Sequence, residues 1–261
     1  MMTGSTLSSQ EWLSWAHEIL DQTDEVARSG FRSDELGIQV KADQSLVTLV
    51  DKNIERMILD SFHSLGQQMG VLAEESGESS ELLSSKLVLD PLDGTANFIR
   101  GIPLFATLLA LVDGDDVLMA MVSAPMMSDR WWAVKGQGAF YNGQSIRVSS
   151  ESELANAQAF HGSLYGIENQ SESQRFLKVL AQTQRQRGVG DYYTHMLVAM
   201  GAGEFAIDTG LKPWDMAPLG LIVQEAGGKV TSLSGKDHHW RDETIISSNS
   251  HIHQAVLEAM G

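Results

Sequence analysis

The feature that most constrains the fold is a pair of long apolar segments near the middle of the chain. They cover residues 104–112 and 117–124, and the polar sequence Asp113-Gly114-Asp115-Asp116 joins them. Apolar segments separated by so short a turn are typical of a β-hairpin. Strand character continues between residues 131 and 148, where Asn142-Gly143 marks a second tight turn. The first half of the chain is therefore predicted to be rich in β-strands.

Helical segments lie on both sides of this region. Residues 12–27 and 51–65 carry apolar side chains at the spacing of an amphipathic helix. After the polar stretch that begins at Ser149, predicted helices over residues 173–182, 191–201, 214–226 and 250–260 alternate with predicted strands over residues 157–160, 204–207, 229–233 and 244–247. The pattern predicts an α+β half over residues 1–148 and an α/β half over residues 149–261, which meet at one cleft.

The charge of the chain limits the partners that it can bind. Its 261 residues include 34 acidic and 18 basic side chains, which gives a formal net charge of −16. A field of this sign repels nucleic acid and anionic membranes, so neither is expected as a partner. A small phosphorylated substrate stays compatible with the charge, provided that bound cations reverse its sign locally.

The absence of cysteine limits the chemistry expected of the protein, and the absence of signal-peptide and membrane-span features limits its expected location. The chain has no cysteine, which excludes disulfides, thiolate zinc sites and cysteine nucleophiles. Its first residues do not show the basic and apolar segments of a signal peptide, and no apolar stretch approaches the roughly 20 residues of a membrane span. A cytoplasmic protein is therefore expected.

The strongest chemical signal follows a short apolar strand predicted over residues 86–90. Asp90 ends the strand, and Asp93 follows three positions later, so both carboxylates can converge on one point. Gly94 and Thr95 then present backbone N–H groups that can hold a phosphate. The alternative interpretation is an ordinary turn in which the two aspartates cap backbone amides.

The spacing of the two aspartates argues against a covalent mechanism. Haloacid dehalogenase phosphatases carry a nucleophilic Asp two residues before an acid/base Asp, directly after an apolar strand. Here Asp90 and Asp93 are separated by three positions. An aspartyl-phosphate intermediate is therefore the weaker hypothesis.

Further acidic positions are ambiguous when taken one by one. Glu74 follows a small apolar strand, Asp51 opens an amphipathic helix, and Asp215 lies in the first turn of another helix. Each has an ordinary alternative role, such as a solvated loop residue or compensation of a helix dipole. Together with Asp90 and Asp93, they predict a site in which Mg²⁺ ions are held by oxygen ligands and activate water for phosphate hydrolysis.

These motifs resemble those of the inositol monophosphatase family of magnesium-dependent, lithium-sensitive phosphatases. The matching segments are Glu74-Glu75, Asp90-Pro-Leu-Asp93-Gly-Thr95-Ala-Asn-Phe98, and Trp214-Asp215-Met-Ala-Pro with Glu225-Ala-Gly-Gly228. The resemblance implies a layered αβαβα sandwich, two or three Mg²⁺ ions and a homodimer.

The resemblance also implies how the metal ions are held. Glu74, Asp90 and the backbone carbonyl of Leu92 would bind the first Mg²⁺. Asp90, Asp93 and Asp215 would bind the second.

Phosphate and water would be bound by a neighbouring set of residues. The resemblance implies that Gly94 and Thr95 bind phosphate through their amides. It further implies that Thr95 and Asp51 orient and deprotonate the attacking water, so that no phosphoenzyme forms.

In its details the sequence resembles the histidinol-phosphate phosphatases of this family. Asp191 adds a carboxylate where inositol phosphatases place small residues, and a carboxylate there suits a substrate with a cationic ammonium or imidazole group. The alternative role of Asp191 is that of a helix N-cap. Asp208 lies seven positions before Asp215, where an acidic residue contacts the leaving group in this family, although Glu is commoner there. Asp93, Gly190 and Arg187 complete the predicted substrate-binding residues, and Arg187 alternatively pairs with a surface acid.

The predicted reaction is the Mg²⁺-dependent hydrolysis of L-histidinol phosphate to L-histidinol and phosphate, a step of histidine biosynthesis. The alternatives are an inositol-1-phosphate phosphatase, a broader phosphomonoesterase, or a catalytically silent relative that binds metal or phosphate. Two other features are predicted to have structural and not catalytic roles. Trp131-Trp132 is predicted to pack in the core. The histidines at 238, 239, 251 and 253 are predicted to face solvent without binding zinc.

Overall fold

The computed structural model describes residues 7–79, 82–162 and 170–261. The helices of these residues are α1 Ser9–Gly30, α2 Leu49–Ser64, α3 Thr95–Ile99, α4 Gln170–Leu180, α5 Asp191–Ala199, α6 Pro213–Glu225 and α7 His253–Met260. The strands are β1 Gln39–Val40, β2 Leu46–Val47, β3 Gly70–Ala73, β4 Gly77–Ser79, β5 Ser85–Asp93, β6 Ala106–Asp113, β7 Asp116–Ala124, β8 Asp129–Val134, β9 Gly138–Tyr141, β10 Gln144–Ile146, β11 Gln158–His161, β12 Arg185–Gly188, β13 Phe205–Thr209, β14 Lys229–Thr231 and β15 Thr244–Ser248. No helix in this part of the chain combines the length and apolar character of a bilayer span.

The strands form two main sheets and a small hairpin. The large sheet has the order β10-β9-β8-β7-β6-β5-β3-β4, and β3 with β5 is its parallel pair. The small sheet has the order β12-β11-β13-β15-β14, in which β11 runs parallel to both of its neighbours. Strands β1 and β2 pair only with each other. The predicted hairpin is therefore the β6–β7 pair at the centre of the large sheet.

Three of the apolar cores in the described residues lie between successive layers, and the chain has five layers. One core joins α1 and α2 to a face of the large sheet, for example through Phe62 and Leu109. The second lies between the opposite face, including Leu108, and the helices α5 and α6, which also cover the small sheet. The third joins the far face of the small sheet to α4 and α7 through residues such as Val256. This arrangement confirms the predicted layered αβαβα sandwich.

Burial on both faces explains why β6 is continuously apolar. Leu109 and Leu111 belong to the core under α1 and α2, whereas Ala106 and Leu108 belong to the core under α5 and α6. A strand that is covered on both sides has no solvent face and therefore shows no alternation of polar and apolar residues.

The structure extends some predicted elements and shortens others. The strand predicted to stop at residue 90 continues through Pro91 to Asp93, with a shift in register between Asp90 and Asp93. Proline is compatible with a strand at such an irregularity because its missing N–H breaks no regular ladder bond there. The last helix begins at His253 rather than at residue 250. The division into halves at residue 149 stays a prediction.

Candidate active site

Three aspartates, of which Asp90 is buried and Asp93 and Asp215 are half-buried, meet at the end of β5. Asp90 and Asp93 lie on either side of the irregularity in β5, and Asp215 lies in the first turn of α6. Oxygen atoms of the three carboxylates lie within 4.8 Å of one another. Local bonds fix two of them, since the Leu92 N–H donates to Asp90 Oδ1 at 2.8 Å and the Lys212 N–H donates to Asp215 Oδ2 at 2.8 Å. The predicted convergence of Asp90 and Asp93 is thus present, with Asp215 beside them.

Burial and mutual repulsion make this cluster unfavourable without a counter-charge. Burial raises the pKa of Asp90 well above its ordinary value, and the charges of Glu74, Asp215 and Asp93 raise it further. Burial likewise raises the pKa of Asp93, followed by the charges of Asp191 and Asp215. The pKa of Asp215 rises to about 7, chiefly through burial. A hard divalent cation prefers oxygen ligands, and its charge would favour the ionised form of all three carboxylates. Such a cation therefore fits this cluster.

Glu74 extends the cluster from the neighbouring strand. It follows β3, and its N–H donates to the Leu89 carbonyl of β5 at 3.1 Å. The ammonium group of Lys41, in the β1–β2 turn, lies 2.9 Å from Glu74 Oε1 and 2.6 Å from Glu75 Oε1. Burial lowers the pKa of Lys41, but the hydrogen bonds to Glu75 and Glu74 outweigh it and raise the pKa overall. The two glutamates are therefore an ion-paired part of the site and not solvated loop residues.

Asp51 joins the site from the first turn of α2. It is fully buried, and its Oδ2 accepts hydrogen bonds from the N–H and the hydroxyl of Thr48, which caps the helix. Its Oδ1 lies 2.9 Å from the hydroxyl oxygen of Thr95, which also lies 2.8 Å from the Leu92 carbonyl. Burial raises the pKa of Asp51, and the bonds from Thr48 and Thr95 act against it. Asp51 thus lies in the first turn of α2, where the predicted alternative role of compensating the helix dipole applies, and it also contacts Thr95.

The turn after β5 depends on a glycine. Gly94 has φ +82°, and a Cβ there would lie 2.8 Å from the Leu104 carbonyl oxygen. Gly94 precedes α3, so the N–H groups at the start of this helix have no acceptor within it. Both the positive φ and the close approach require glycine, and both Gly94 and Thr95 line the cleft beside the carboxylate cluster.

The carboxylate cluster opens into a cleft of about 740 Å³. Its lining includes Lys41, Glu74, Asp90, Leu92, Asp93, Gly94, Thr95, Asp191, Lys212 and Asp215. The structure therefore brings together the metal and phosphate residues that the sequence predicted, with Asp51 behind Thr95.

Two further carboxylates lie beside this cleft. Asp191 is the first residue of α5, and burial raises its pKa to about 6 against the effect of a hydrogen bond from Asn97. Asp208, in β13, is buried and has a pKa raised to about 7 by burial, with smaller contributions from Asp191 and Asp215. A Cβ on Gly162 would overlap the Asp208 carboxylate, so this glycine leaves it room. Asp191 lines the cleft beside the carboxylate cluster, and the buried Asp208 lies near enough to Asp191 and Asp215 for their charges to act on it; Asp191 and Asp208 are together called the acidic recess.

The other predicted substrate residues are placed differently. Gly190 has φ +81° and lies directly before Asp191. Arg187 is exposed on the edge strand β12, where its Nη1 donates to the Gln186 carbonyl at 2.8 Å, and it does not line the cleft of its own chain. The structure does not bring Arg187 together with the other site residues.

Sequence reasoning missed several residues that shape the site. Lys41 follows a two-residue strand and carries no pattern of its own, and Asn97 and Gly162 act only through contacts between distant segments. Thr48 had a recognisable signal, because Thr followed three residues later by an acidic residue is typical of a helix start.

The structure also tests the two structural interpretations. Trp131 is fully buried, with its ring 5.2 Å from that of Tyr141, and Trp132 stacks on Phe140 at 5.7 Å, so both pack as predicted. The expectation of solvent exposure was wrong for His238, whose two ring nitrogens are buried, and for His253. The Nδ1 of His253 lies 2.7 Å from the Ser248 hydroxyl, and His253 is buried because the start of α7 packs on the small sheet.

A five-layered αβαβα fold with buried carboxylates around one strand end defines a class of metal-dependent phosphatases. The chain belongs to the inositol monophosphatase family, whose model matches residues 8–260. The family is metal-dependent, and the protein is a phosphoric monoester hydrolase.

Named relatives and solved structures agree with this assignment. The histidinol-phosphatase of Mycobacterium tuberculosis is 35% identical over 257 residues, which cover 95% of this chain and 97% of the relative. The fructose-1,6-bisphosphatase/inositol-1-monophosphatase of Thermotoga maritima is 32% identical over 83% of each chain. The solved structure of the extragenic suppressor protein suhB from Bartonella henselae matches with a TM-score of 0.88 at 27% identity and covers 95% of this chain and 97% of its own.

Proposed function

We propose that the protein is a Mg²⁺-dependent phosphatase that hydrolyses L-histidinol phosphate to L-histidinol and inorganic phosphate. The observation that carries the proposal is the acidic recess, in which Asp191 lines the cleft beside the carboxylate cluster and Asp208 is buried close to it. The histidinol-phosphatases of Mycobacterium tuberculosis and Streptomyces coelicolor, at 35% and 34% identity, support the same substrate.

Two or three Mg²⁺ ions would be held by the carboxylate cluster. Glu74, Asp90 and the Leu92 carbonyl would hold one ion, and Asp90, Asp93 and Asp215 would hold another. Bound Mg²⁺ would supply charge stabilisation for the phosphoryl oxygens and would lower the pKa of water. The raised pKa values of Asp90 and Asp93 support this assignment, because a divalent cation relieves the repulsion that raises them.

The chain's own groups would bind the phosphate and move the proton. The amides of Gly94 and Thr95 would bind phosphate oxygens at the start of α3. The Thr95 hydroxyl would accept a proton from the attacking water while it donates its own proton to Asp51 Oδ1, which lies 2.9 Å away. Burial raises the pKa of Asp51, so its carboxylate suits the role of a general base.

The acidic recess would select a cationic alcohol as the leaving group. The ammonium or imidazole group of histidinol would compensate the negative charge of Asp191 and Asp208. A neutral cyclitol would leave these buried carboxylates without a partner of opposite charge, and such an unpaired group costs free energy. Asp93 and Gly190 border the recess and would complete it.

Arg187 can serve this site only from a second molecule. It lies on the exposed edge strand β12 and outside the cleft of its own chain. Its proposed contact with substrate therefore requires a homodimer in which β12 faces the cleft of the other copy, and light scattering at micromolar concentration measures that state.

The second candidate is an inositol-1-phosphate phosphatase or a broader phosphomonoesterase. It is favoured by relatives such as the fructose-1,6-bisphosphatase/inositol-1-monophosphatase of Thermotoga maritima and the inositol monophosphatase 1 of Bos taurus. A catalytically silent relative is not supported, because all the predicted metal carboxylates and the pair of Asp51 and Thr95 are present at one cleft.

Phosphate release in the presence of Mg²⁺ tests the proposal. L-histidinol phosphate, inositol-1-phosphate and fructose-1,6-bisphosphate are compared with the wild-type protein and with Asp93→Asn as the inactive control. We expect the highest kcat/KM with L-histidinol phosphate. A clear preference for inositol-1-phosphate would overturn the proposed substrate while leaving the phosphatase activity in place.

A further inference from the structure

The side chain of Asn97, in α3, connects the two parts of the cleft. Its Nδ2 lies 2.9 Å from the Leu104 carbonyl oxygen and 2.8 Å from Asp191 Oδ2. A primary amide has two N–H groups, and here each faces one acceptor. Because both partners can only accept, the orientation of the amide is fixed, and Asn97 donates to the Asp191 carboxylate.

The backbone of Asp191 is strained at the point where this bond forms. Asp191 has φ +52°, directly after Gly190 with φ +81°. A positive φ is uncommon for a residue other than glycine, although aspartate adopts it more readily than most. Two contacts hold it in place, the bond from Asn97 and the bond from the Tyr192 N–H to Asp93 Oδ2 at 2.8 Å. Such strain at the edge of a cleft indicates that the position of the Asp191 side chain matters there.

The chemistry of the contact suits the recognition of a cation. The group that stabilises the Asp191 carboxylate is an uncharged amide, so the negative charge remains available to a ligand. An arginine or lysine in the same place would neutralise that charge and would repel an incoming ammonium group. Asn97 therefore orients the Asp191 carboxylate without neutralising its charge.

We infer that Asn97 is a positioning residue for substrate specificity: it holds Asp191 so that the cleft prefers phosphate esters that carry an ammonium group. The inference rests on the proposed function, since it assumes that Asp191 contacts the cationic part of the substrate. The competing explanation is that Asn97 only ties α3 to the segment around Leu104, which would affect every substrate equally.

The test compares two esters that differ only in the amino group. These are L-histidinol phosphate and 3-(imidazol-4-yl)propyl phosphate, assayed with Mg²⁺ at about pH 8, where a free imidazole is neutral. The variants are Asn97→Ala, Asp191→Asn and the double variant. The control is Asn142→Ala, which also removes two hydrogen bonds of an asparagine, one to Ser128 and one from Arg130, in a turn outside this cleft.

We expect Asn97→Ala to raise KM for L-histidinol phosphate about tenfold more than KM for the amine-free ester, the size of a hydrogen bond to a charged group. Asp191→Asn should change the ratio of the two KM values in the same direction. The double variant should change it no further than Asp191→Asn alone, because both substitutions act on the same carboxylate. Asn142→Ala should leave the ratio at its wild-type value.

Three results would overturn the inference. Equal changes of KM for both esters in Asn97→Ala would show a merely structural role, and additive effects in the double variant would show that Asn97 does not act through Asp191. In both cases the proposed function stands if Asp191→Asn alone changes the ratio. If Asp191→Asn leaves the ratio unchanged, the proposed recognition of the cation fails together with the inference.

A binding measurement keeps the inference testable if Asn97→Ala folds poorly. Asn97→Ser retains one short donor that cannot reach both acceptors, and it should show the same direction of change. Calorimetric titration of the Mg²⁺-loaded protein with L-histidinol should give a Kd about tenfold higher for Asn97→Ser than for Asn142→Ala. An unchanged Kd would overturn the inference.

Discussion

Lys41 places a positive charge at a carboxylate that the proposed mechanism assigns to a metal ion. Its ammonium group contacts both Glu74 and Glu75, and its side chain is only 21% exposed. A divalent ion that binds Glu74 must therefore share this carboxylate with Lys41 or displace it. Since Lys41 lies in the turn of the β1–β2 hairpin, the position of the hairpin and the filling of the metal site depend on each other.

Replacing Lys41 should strengthen metal binding. In Lys41→Met the two glutamates lose their cation, so Mg²⁺ no longer competes with an ammonium group at Glu74. We expect the Kd for Mg²⁺ to fall about fivefold, which corresponds to about 1 kcal/mol. Isothermal titration calorimetry without substrate measures it.

The matched control is Lys52→Met, which removes an exposed ammonium group that contacts Gln39 on the surface. Its Kd for Mg²⁺ should match the wild-type value. Weaker metal binding in Lys41→Met would contradict the prediction and would mean that Lys41 supports the site instead of competing with the metal.

The residues of the site differ in how well the sequence predicts them. Asp90, Asp93 and Gly94 belong to one short segment, so their spacing alone indicates a strand end followed by a turn. The contact between Asn97 and Asp191 joins residues 94 positions apart and leaves no local pattern. Contacts of this kind arise only when the layers pack, which is why the residues proposed to set specificity were harder to predict than the carboxylates proposed to hold the metal.

At the scale of single elements, the short helix α3 depends on the residue before it. Gly94 combines φ +82° with a close approach to the Leu104 carbonyl. Gly94→Ala adds both a left-handed alanine and a steric overlap with a backbone atom. We expect a loss of unfolding free energy greater than the roughly 1–2 kcal/mol of the conformation alone, measured by urea denaturation. Phosphate binding in the presence of Mg²⁺ should weaken as well.

Gly143→Ala separates the two effects. Gly143 has the same φ of +82°, and a Cβ there would meet nothing within 4 Å. Gly143→Ala should therefore lose only the unfolding free energy that an alanine at positive φ costs, and it should retain phosphate binding. If Gly94→Ala and Gly143→Ala lose equal stability, the overlap with Leu104 has no energetic effect.

The elements themselves were predicted unevenly, for physical reasons. Helices α1 and α2 and strands β6 and β7 carry clear apolar patterns because each is long and faces a core. Strand β12 is exposed along its whole length and belongs to the sheet only through its pairing with β11. The order of the five layers was implied by the family resemblance, since periodicity shows which elements exist and not how they stack.

At the scale of the whole molecule, buried histidines couple stability to pH. Burial lowers the pKa of His195 to about 3 and that of His253 to about 4. In the unfolded chain a histidine gains its proton below about pH 6.5, whereas these two stay neutral in the folded protein. At these two histidines the unfolded state therefore binds more protons, and their contribution to the free energy of unfolding falls as the pH falls from about 6.5 toward 4. The carboxyl groups of Asp208 and Asp215, whose pKa values burial raises to about 7, contribute with the opposite sign, so only a difference between variants isolates one histidine.

The variant His253→Gln tests this coupling. It removes one group that titrates in the unfolded chain, so the slope of its free energy of unfolding against pH, between pH 5 and pH 7, should be less positive than the slope of the wild type. The difference for one fully buried histidine approaches about 1.4 kcal/mol per pH unit. Urea denaturation at several pH values gives both slopes. His63→Gln, which replaces an exposed histidine of α2, is the control, and an equal change of slope in both variants would contradict the prediction.

The bond from the Tyr192 N–H to Asp93 Oδ2 connects the proposed metal site to the proposed binding site of the alcohol product, although the metal ion and the alcohol need not contact each other. Asp93 belongs to the carboxylate cluster, and Tyr192 follows the residue that would face the amine. A cation that orders Asp93 therefore also orders the start of α5. Thermodynamic reciprocity then requires that, if the metal increases the affinity for the alcohol product by some factor, the alcohol increases the affinity for the metal by the same factor. Release of either one after catalysis would therefore weaken the binding of the other by that same factor, so the metal ion and the alcohol product would be lost together.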